Sequence, residues 1–98
     1  ERPGVVEITA PKFLAKVSGV AKLEWKKAQG ADAYHVQVAT DPNFKWLVAE
    51  DHFVKTNSFE FSKAEVGHKY FWRVAAFNTN NEAMFTKSNF NGSVFVAK

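Results

Sequence analysis

The sequence predicts an all-β sandwich, and three observations support this prediction. First, apolar and polar residues alternate over 70–78, so that Tyr70 and Trp72 share one face while Phe71 and Arg73 share the other. Successive side chains of a strand point to opposite faces of a sheet. Second, the same alternation recurs along the 98-residue chain between turn signals. Third, no stretch has the apolar spacing of a helix.

Seven strands are predicted in order along the chain. They cover residues 4–9, 20–26, 34–39, 44–50, 58–61, 70–78 and 93–97. Pro11 closes the first strand, because proline has no N–H to donate to a ladder. Asp41-Pro-Asn43 predicts a turn, since proline presets its φ and Asx side chains cap the local backbone. Seven strands are typical of an immunoglobulin-like sandwich.

The predicted core is aromatic. Seven aromatic residues are expected to point inward: Trp25, Tyr34, Phe44, Phe59, Phe61, Tyr70 and Trp72. Each of these side chains buries roughly 150–250 Å² of surface, and burial of apolar surface contributes about 25 cal/mol of transfer free energy per Å². Such a core explains how a chain with no cysteine, and therefore no disulfide, stays folded at this size.

The chain resembles a fibronectin type III domain over almost its whole length. The resemblance lies in Leu23-x-Trp25, in Gly-Ala-Asp-Ala-Tyr-x-Val over 30–36, and in Tyr-x-Trp-x-Val-x-Ala-x-Asn over 70–78. Gly67 precedes Tyr70 as in the family's tyrosine corner, where the hydroxyl bonds to upstream backbone. Ala64 and Val66 depart from the family's usual Leu and Pro. The resemblance is strongest to bacterial versions, which implies an extracellular, periplasmic or cell-surface multidomain protein.

Composition and motifs exclude several kinds of chemistry. The net charge of +3 is scattered rather than clustered, so nucleic acid is not an expected partner. No window is apolar enough to insert into a membrane. His35, His52 and His68 have no spacing typical of a metal site. Neither a catalytic motif nor a phosphate loop occurs. We therefore expect a single non-catalytic domain over 1–98, excised from a longer protein, with no cofactor and no metal.

Surface recognition remains as a function. If Tyr70 and Trp72 point inward and the third strand pairs with the sixth, one outer face collects a set of aromatic, cationic and hydrogen-bonding side chains. This possible ligand or partner face comprises His35, Gln37, Trp46, Phe71, Arg73 and Phe77. Such residues suit protein or carbohydrate contacts. The alternative is that lysine stems, the first residues of the chain or a neighbouring domain cover the same face. Loops 51–57 and 78–86, with Phe53, Met84 and Phe85 as anchors, are a second candidate.

Three functions follow from these observations. The favoured one is a structural spacer and interaction module whose partners are neighbouring domains or another protein. The second is a glycan- or cell-wall-binding domain that uses the outward face. The third is an accessory domain of an enzyme whose catalytic part lies elsewhere.

Overall fold

The computed structural model describes residues 6–28, 31–78, 86–87 and 90–98. These residues form two β-sheets, and none of them lies in a helix long and apolar enough to cross a membrane. The strands are β1 (Ile8–Ala10), β2 (Ala15–Val17), β3 (Ala21–Trp25), β4 (Ala33–Ala39), β5 (Leu47–Val54), β6 (Ser58–Phe61), β7 (Lys69–Asn78), β8 (Thr86–Lys87) and β9 (Asn91–Ala97).

The two sheets differ in size. The small sheet has the order β1-β3-β6, and the large sheet has the order β2-β9-β7-β4-β5, with β8 paired to β7. Neighbouring strands are antiparallel except β2 and β9, which run parallel. The predicted pairing of the third strand with the sixth is confirmed as β4 with β7. His35 and Gln37 therefore lie opposite Ala75 and Arg73.

The described residues contain nine strands, so the predicted number of seven is wrong in detail. The predicted first strand, 4–9, corresponds to β1, whereas β2 is an additional strand that the sequence does not predict, because the chain leaves the small sheet after β1 and enters the large sheet as β2. Pro11, after a cis peptide bond, lies between them. The two-residue β8 is the other addition. The fourth predicted strand, 44–50, begins later and runs further, as β5 over Leu47–Val54.

The core between the sheets is aromatic, as predicted. Trp25 of the small sheet and Trp72 of the large sheet are fully buried, with ring centroids 6.2 Å apart. Tyr34 packs edge-on against Trp25 at 5.4 Å. Phe61 and Tyr70 are buried, and Phe59 packs partly buried against the core. The two sheets are thus joined mainly by large rings.

Phe44 is an exception, and its predicted inward position is wrong. It lies in the turn before β5, with a left-handed φ of 56°. Its ring packs on the Arg73 side chain, which belongs to the outer face of the large sheet. The apolar residue is used to cover a cation instead of filling the core.

The tyrosine corner implied by the resemblance is present. The Tyr70 hydroxyl accepts a hydrogen bond of 2.8 Å from the backbone N–H of Glu65. Gly67 takes a φ of 89°, a conformation that favours glycine, and its N–H bonds to the Ala97 carbonyl at 2.8 Å. The corner therefore ties the start of β7 to the end of β9, although Ala64 and Val66 differ from the usual residues.

Candidate functional site

The candidate site is the outer face of the large sheet, and its centre is β4. The chemistry of β4 alternates, with Val36 and Val38 toward the core and His35 and Gln37 toward the outside. Yet all seven residues of the strand are buried, and His35 and Gln37 are only 7% and 9% exposed. The outer face is therefore covered by other parts of the chain.

Strand β5 supplies part of this cover through a β-bulge. Tyr34 pairs with Val54 and Val36 pairs with Asp51, so two residues of β5 stand opposite His35. These two residues are His52 and Phe53. The Asp51 carboxylate accepts a hydrogen bond of 3.0 Å from the Phe53 backbone N–H and so stabilises the bulge.

The bulge lets both side chains reach the outer face. The His52 ring stacks on His35, with centroids 4.4 Å apart and planes 20° apart. The Phe53 ring meets Phe77 edge-on at 5.6 Å. Regular alternation would turn one of two successive side chains toward the core. The extra residue is what covers His35 and Phe77 at once.

A chain of hydrogen bonds crosses the outer face from β7 to β5. Arg73 Nε donates to Gln37 Oε1 at 2.6 Å, and Gln37 Nε2 donates to Glu50 Oε2 at 2.7 Å. His35 Nε2 lies 2.8 Å from the same Glu50 oxygen, and His52 Nε2 lies 3.5 Å from it. The polar residues of this face, which we call the outer network, thus bind one another: Arg73, Gln37, Glu50, His35 and His52.

Two aromatic rings enclose the cationic end of the outer network. The Arg73 guanidinium lies 4.2 Å from the Phe44 ring centroid and 4.1 Å from that of Phe90. Both distances are within cation–π range. Burial lowers the pKa of Arg73, and the charge of Glu50 partly opposes this effect. The guanidinium remains charged at neutral pH, because arginine is not deprotonated in proteins.

A glycine makes room for this arrangement on the neighbouring strand. Gly92 of β9 is the Cα partner of Arg73. A Cβ at this position would lie 2.8 Å from the Trp72 carbonyl oxygen and 3.3 Å from the Arg73 Cβ. A larger residue would therefore push on the backbone beneath the arginine side chain.

The turn that carries Phe44 is held by one carboxylate. The Asp41 carboxylate accepts hydrogen bonds from the backbone N–H groups of Asn43, Lys45 and Trp46, at 3.2, 3.0 and 2.8 Å. The bond from Trp46 contributes most to lowering the pKa of Asp41. The turn predicted at 41–43 is confirmed, and its carboxylate stabilises the backbone that presents Phe44 and Trp46.

The outer network also stabilises the ionised form of Glu50. Its pKa is lowered chiefly by the hydrogen bond from Gln37 and next by the one from His35, against a smaller opposing effect of burial. At neutral pH Glu50 is a carboxylate that accepts hydrogen bonds from Gln37 and His35, with the His52 ring 3.5 Å away. This face can therefore hold a cation at Glu50, but its cationic end at Arg73 is enclosed.

The structure places the six predicted face residues in different environments. Arg73, His35 and Gln37 are joined in the outer network, and Phe77 is 5% exposed beneath Phe53. Phe71 is half-buried opposite Ala39 on β4. Trp46 lies in the turn before β5 and is 70% exposed. The residues that sequence reasoning missed are Phe44, Glu50, His52 and Phe90.

The second predicted surface lies largely outside the described residues. Residues 79–85, with Met84 and Phe85, are among those not described. Of the 51–57 loop, residues 51–54 are part of β5, so the prediction of a loop there is wrong. Lys55 and Asn57 line an open cleft of about 440 Å³, together with Lys27, Asp32 and Tyr34.

Two packed sheets in this strand order, closed by a tyrosine corner, define an immunoglobulin-like β-sandwich. Comparison with solved structures shows which kind of immunoglobulin-like sandwich this is: the chain has the fibronectin type III fold. It is similar to an Fn3-like protein from Clostridium thermocellum, with a TM-score of 0.63, 19% identity, and coverage of 98% of this chain and 91% of that one.

Two further structures agree with this fold. The structure described as FN3tt has a TM-score of 0.65 and 17% identity, with coverage of 98% and 95%. The fibronectin type III domain of human fibronectin type III domain containing protein 3 has a TM-score of 0.59 and 10% identity, with coverage of 100% and 90%. No protein-family model matches the chain, and no curated protein matches it in sequence.

Proposed function

We propose that this domain is a non-catalytic structural and interaction module of a multidomain exported or surface protein, in which it acts mainly as a spacer. The observation that supports this role best is the outer network. Arg73, Gln37 and Glu50 bind one another, and two rings enclose Arg73. Side chains that are paired within the domain would have to give up those bonds before they could bind a ligand.

The fold supports the same proposal. Fibronectin type III folds serve generally as structural or interaction modules, and the similarity to the Fn3-like protein from Clostridium thermocellum is consistent with a bacterial surface protein. The partners of a spacer are its neighbouring domains. An extracellular, periplasmic or cell-surface location follows from this proposal.

Phe77→Ala and Arg73→Ala test the spacer role in the 98-residue chain. A spacer predicts that both variants lose stability in urea unfolding. It also predicts that amide NMR spectra of the parent chain do not shift with peptidoglycan fragments or cell-wall glycans. Shifts clustered at His35, Gln37 and Arg73, lost in Arg73→Ala with little loss of stability, would instead establish a binding face.

A glycan-binding role is a second candidate, and the exposure of Trp46 favours it. The indole is 70% exposed on a turn that Asp41 stabilises, so it offers a fixed flat surface. Trp46→Ala is the test, and Phe13→Ala is the matched control because Phe13 is 71% exposed. A glycan that shifts the Trp46 indole resonance, and that binds Phe13→Ala but not Trp46→Ala, would support this role. Equal binding to both variants would refute it.

A further inference from the structure

His35, Glu50 and His52 converge at one point of the outer face. His35 is on β4, while Glu50 and His52 are on β5, and each offers one ligand atom. These three atoms lie within 4.8 Å of one another. The two histidine nitrogens lie 2.8 and 3.5 Å from Glu50 Oε2. From this geometry we infer that the three residues form a binding site for a divalent transition-metal ion of the Zn²⁺ type.

The distances suit such an ion. Zinc bonds to histidine nitrogen and carboxylate oxygen are about 2.0–2.2 Å, which places tetrahedral ligand atoms about 3.3 Å apart. The two distances from Glu50 Oε2 lie on either side of this value. The ion would replace the shared proton between His35 and Glu50, and the exposed His52 ring would turn out of its stack on His35 so that both nitrogens point to the ion.

The kinds of ligand select the class of ion. Imidazole nitrogen suits Zn²⁺, Cu²⁺ and Ni²⁺, whereas Ca²⁺ and Mg²⁺ prefer six or more oxygen ligands. Two imidazoles and one carboxylate fill three positions of a tetrahedral site and leave a fourth for water or for a group from a partner.

The surroundings of the three residues also resemble those of metal sites. Ligating carboxylates are usually held by further hydrogen bonds. Here Gln37 donates to Glu50 Oε2, and Arg73 in turn holds Gln37. The His35 ring is held by an edge contact with Phe90 at 5.4 Å.

Access to the site is open on one side. The side chain of His35 is 8% exposed, but those of Glu50 and His52 are 30% and 65% exposed. An ion can therefore reach the site from solvent through the β5 side chains. Binding would join β5 to β4 beyond their ladder, which ties the edge of the sheet to its centre.

Titration of the tag-free 98-residue chain with ZnCl₂ tests this inference. The NMR resonances of the three histidine imidazoles report the binding. We expect the His35 and His52 rings to shift together and to saturate at one equivalent, while the His68 ring does not move. We also expect a rise in the melting temperature that EDTA reverses. Equal shifts of all three rings, or no saturation by about 1 mM ion, would overturn the inference.

Variants identify the ligands. His52→Ala and Glu50→Gln should each weaken zinc binding at least about tenfold, because even groups outside the ligand set change metal affinity 10–100-fold. His68→Ala is the matched control, since His68 lies 3.7 Å from Glu65 in an exposed pair on the same molecule. If His68→Ala weakens binding as much as His52→Ala does, the site is elsewhere. Circular dichroism confirms that each variant is folded.

Discussion

Strands β3 and β4 have the same sequence alternation but different surroundings. In the small sheet, β3 buries Leu23 and exposes Lys22, which pairs with Glu24 at 3.8 Å in solvent. In the large sheet, β4 places His35 and Gln37 on its outer side, yet every residue of the strand is buried. The comparison teaches that alternation predicts which face a side chain occupies, while later parts of the chain decide whether that face meets water.

The core shared by both sheets should give the largest effect. Trp72→Ala should lower the free energy of unfolding by about 3–5 kcal/mol, because it removes a fully buried ring and leaves a cavity against Trp25. Urea unfolding measures this loss. Trp46→Ala is the control and should cost less than about 0.5 kcal/mol, since that ring is exposed. A loss below about 1 kcal/mol for Trp72→Ala would contradict the packing described above.

The cationic end of the outer network should come second. Arg73→Ala should cost about 2 kcal/mol, because it removes two cation–π contacts and a charged hydrogen bond to Gln37. Arg73→Lys should recover less than half, since an ammonium cannot lie flat between two rings. Urea unfolding of both variants measures these differences. Full recovery in Arg73→Lys would show that charge alone matters and that stacking between Phe44 and Phe90 contributes little.

The acidic centre of the outer network should give a pH-dependent effect. Folding lowers the pKa of Glu50, so the stability that its charge contributes is present above the unfolded pKa of about 4.3. This contribution is lost as the pH falls through the folded pKa. The difference in unfolding free energy between the parent chain and Glu50→Gln should therefore shrink as the pH falls from about 6 to about 3, a range that spans the unfolded pKa.

A control on the small sheet sharpens the pH experiment. Glu24→Gln changes an exposed carboxylate beside Lys22. This variant removes a carboxylate without touching the outer network, so its unfolding free energy over the same pH range is the reference for Glu50→Gln. If the two glutamine variants have the same pH dependence, then the outer network does not distinguish Glu50 from a surface carboxylate.

The exposed pair on β3 should have the smallest effect. Lys22→Ala should change the free energy of unfolding by less than about 0.5 kcal/mol, because exposed ion pairs contribute little. Chemical unfolding at low and high salt measures it. A larger loss would mean that the outer face of the small sheet also depends on its side-chain contacts, and the contrast between the two sheets would fail.

Much of the fold is predictable from the sequence, for a local physical reason. Strand alternation places Trp25, Tyr34 and Trp72 correctly, because a period of two is a property of each strand alone. The Asp41 turn follows from residue types that cap their own backbone. The additional strand β2 after Pro11 is not predictable in this way, since it depends on which sheet offers a free edge.

The candidate site is less predictable because it is assembled from distant segments. Alternation on β4 and β7 correctly brings His35, Gln37 and Arg73 to one face. The bulge in β5 adds His52 and Phe53, and a one-residue change of register leaves no clear mark in the sequence. Phe44 and Phe90 reach Arg73 from a turn and from the approach to β9, and both look like ordinary core residues in sequence.

The parallel pairing of β2 with β9 has a mechanical consequence. The strands are matched from Ala15 with Phe95 to Val17 with Ala97, and the Leu14 and Lys98 N–H groups extend the contact at 2.7 and 2.8 Å. Tension that pulls the start of β2 away from the end of β9 runs along both strands in opposite directions. It loads these hydrogen bonds in shear, all together, rather than opening them one after another as in a zipper. Strand pairing of this kind resists stretching between the start of β2 and the end of β9.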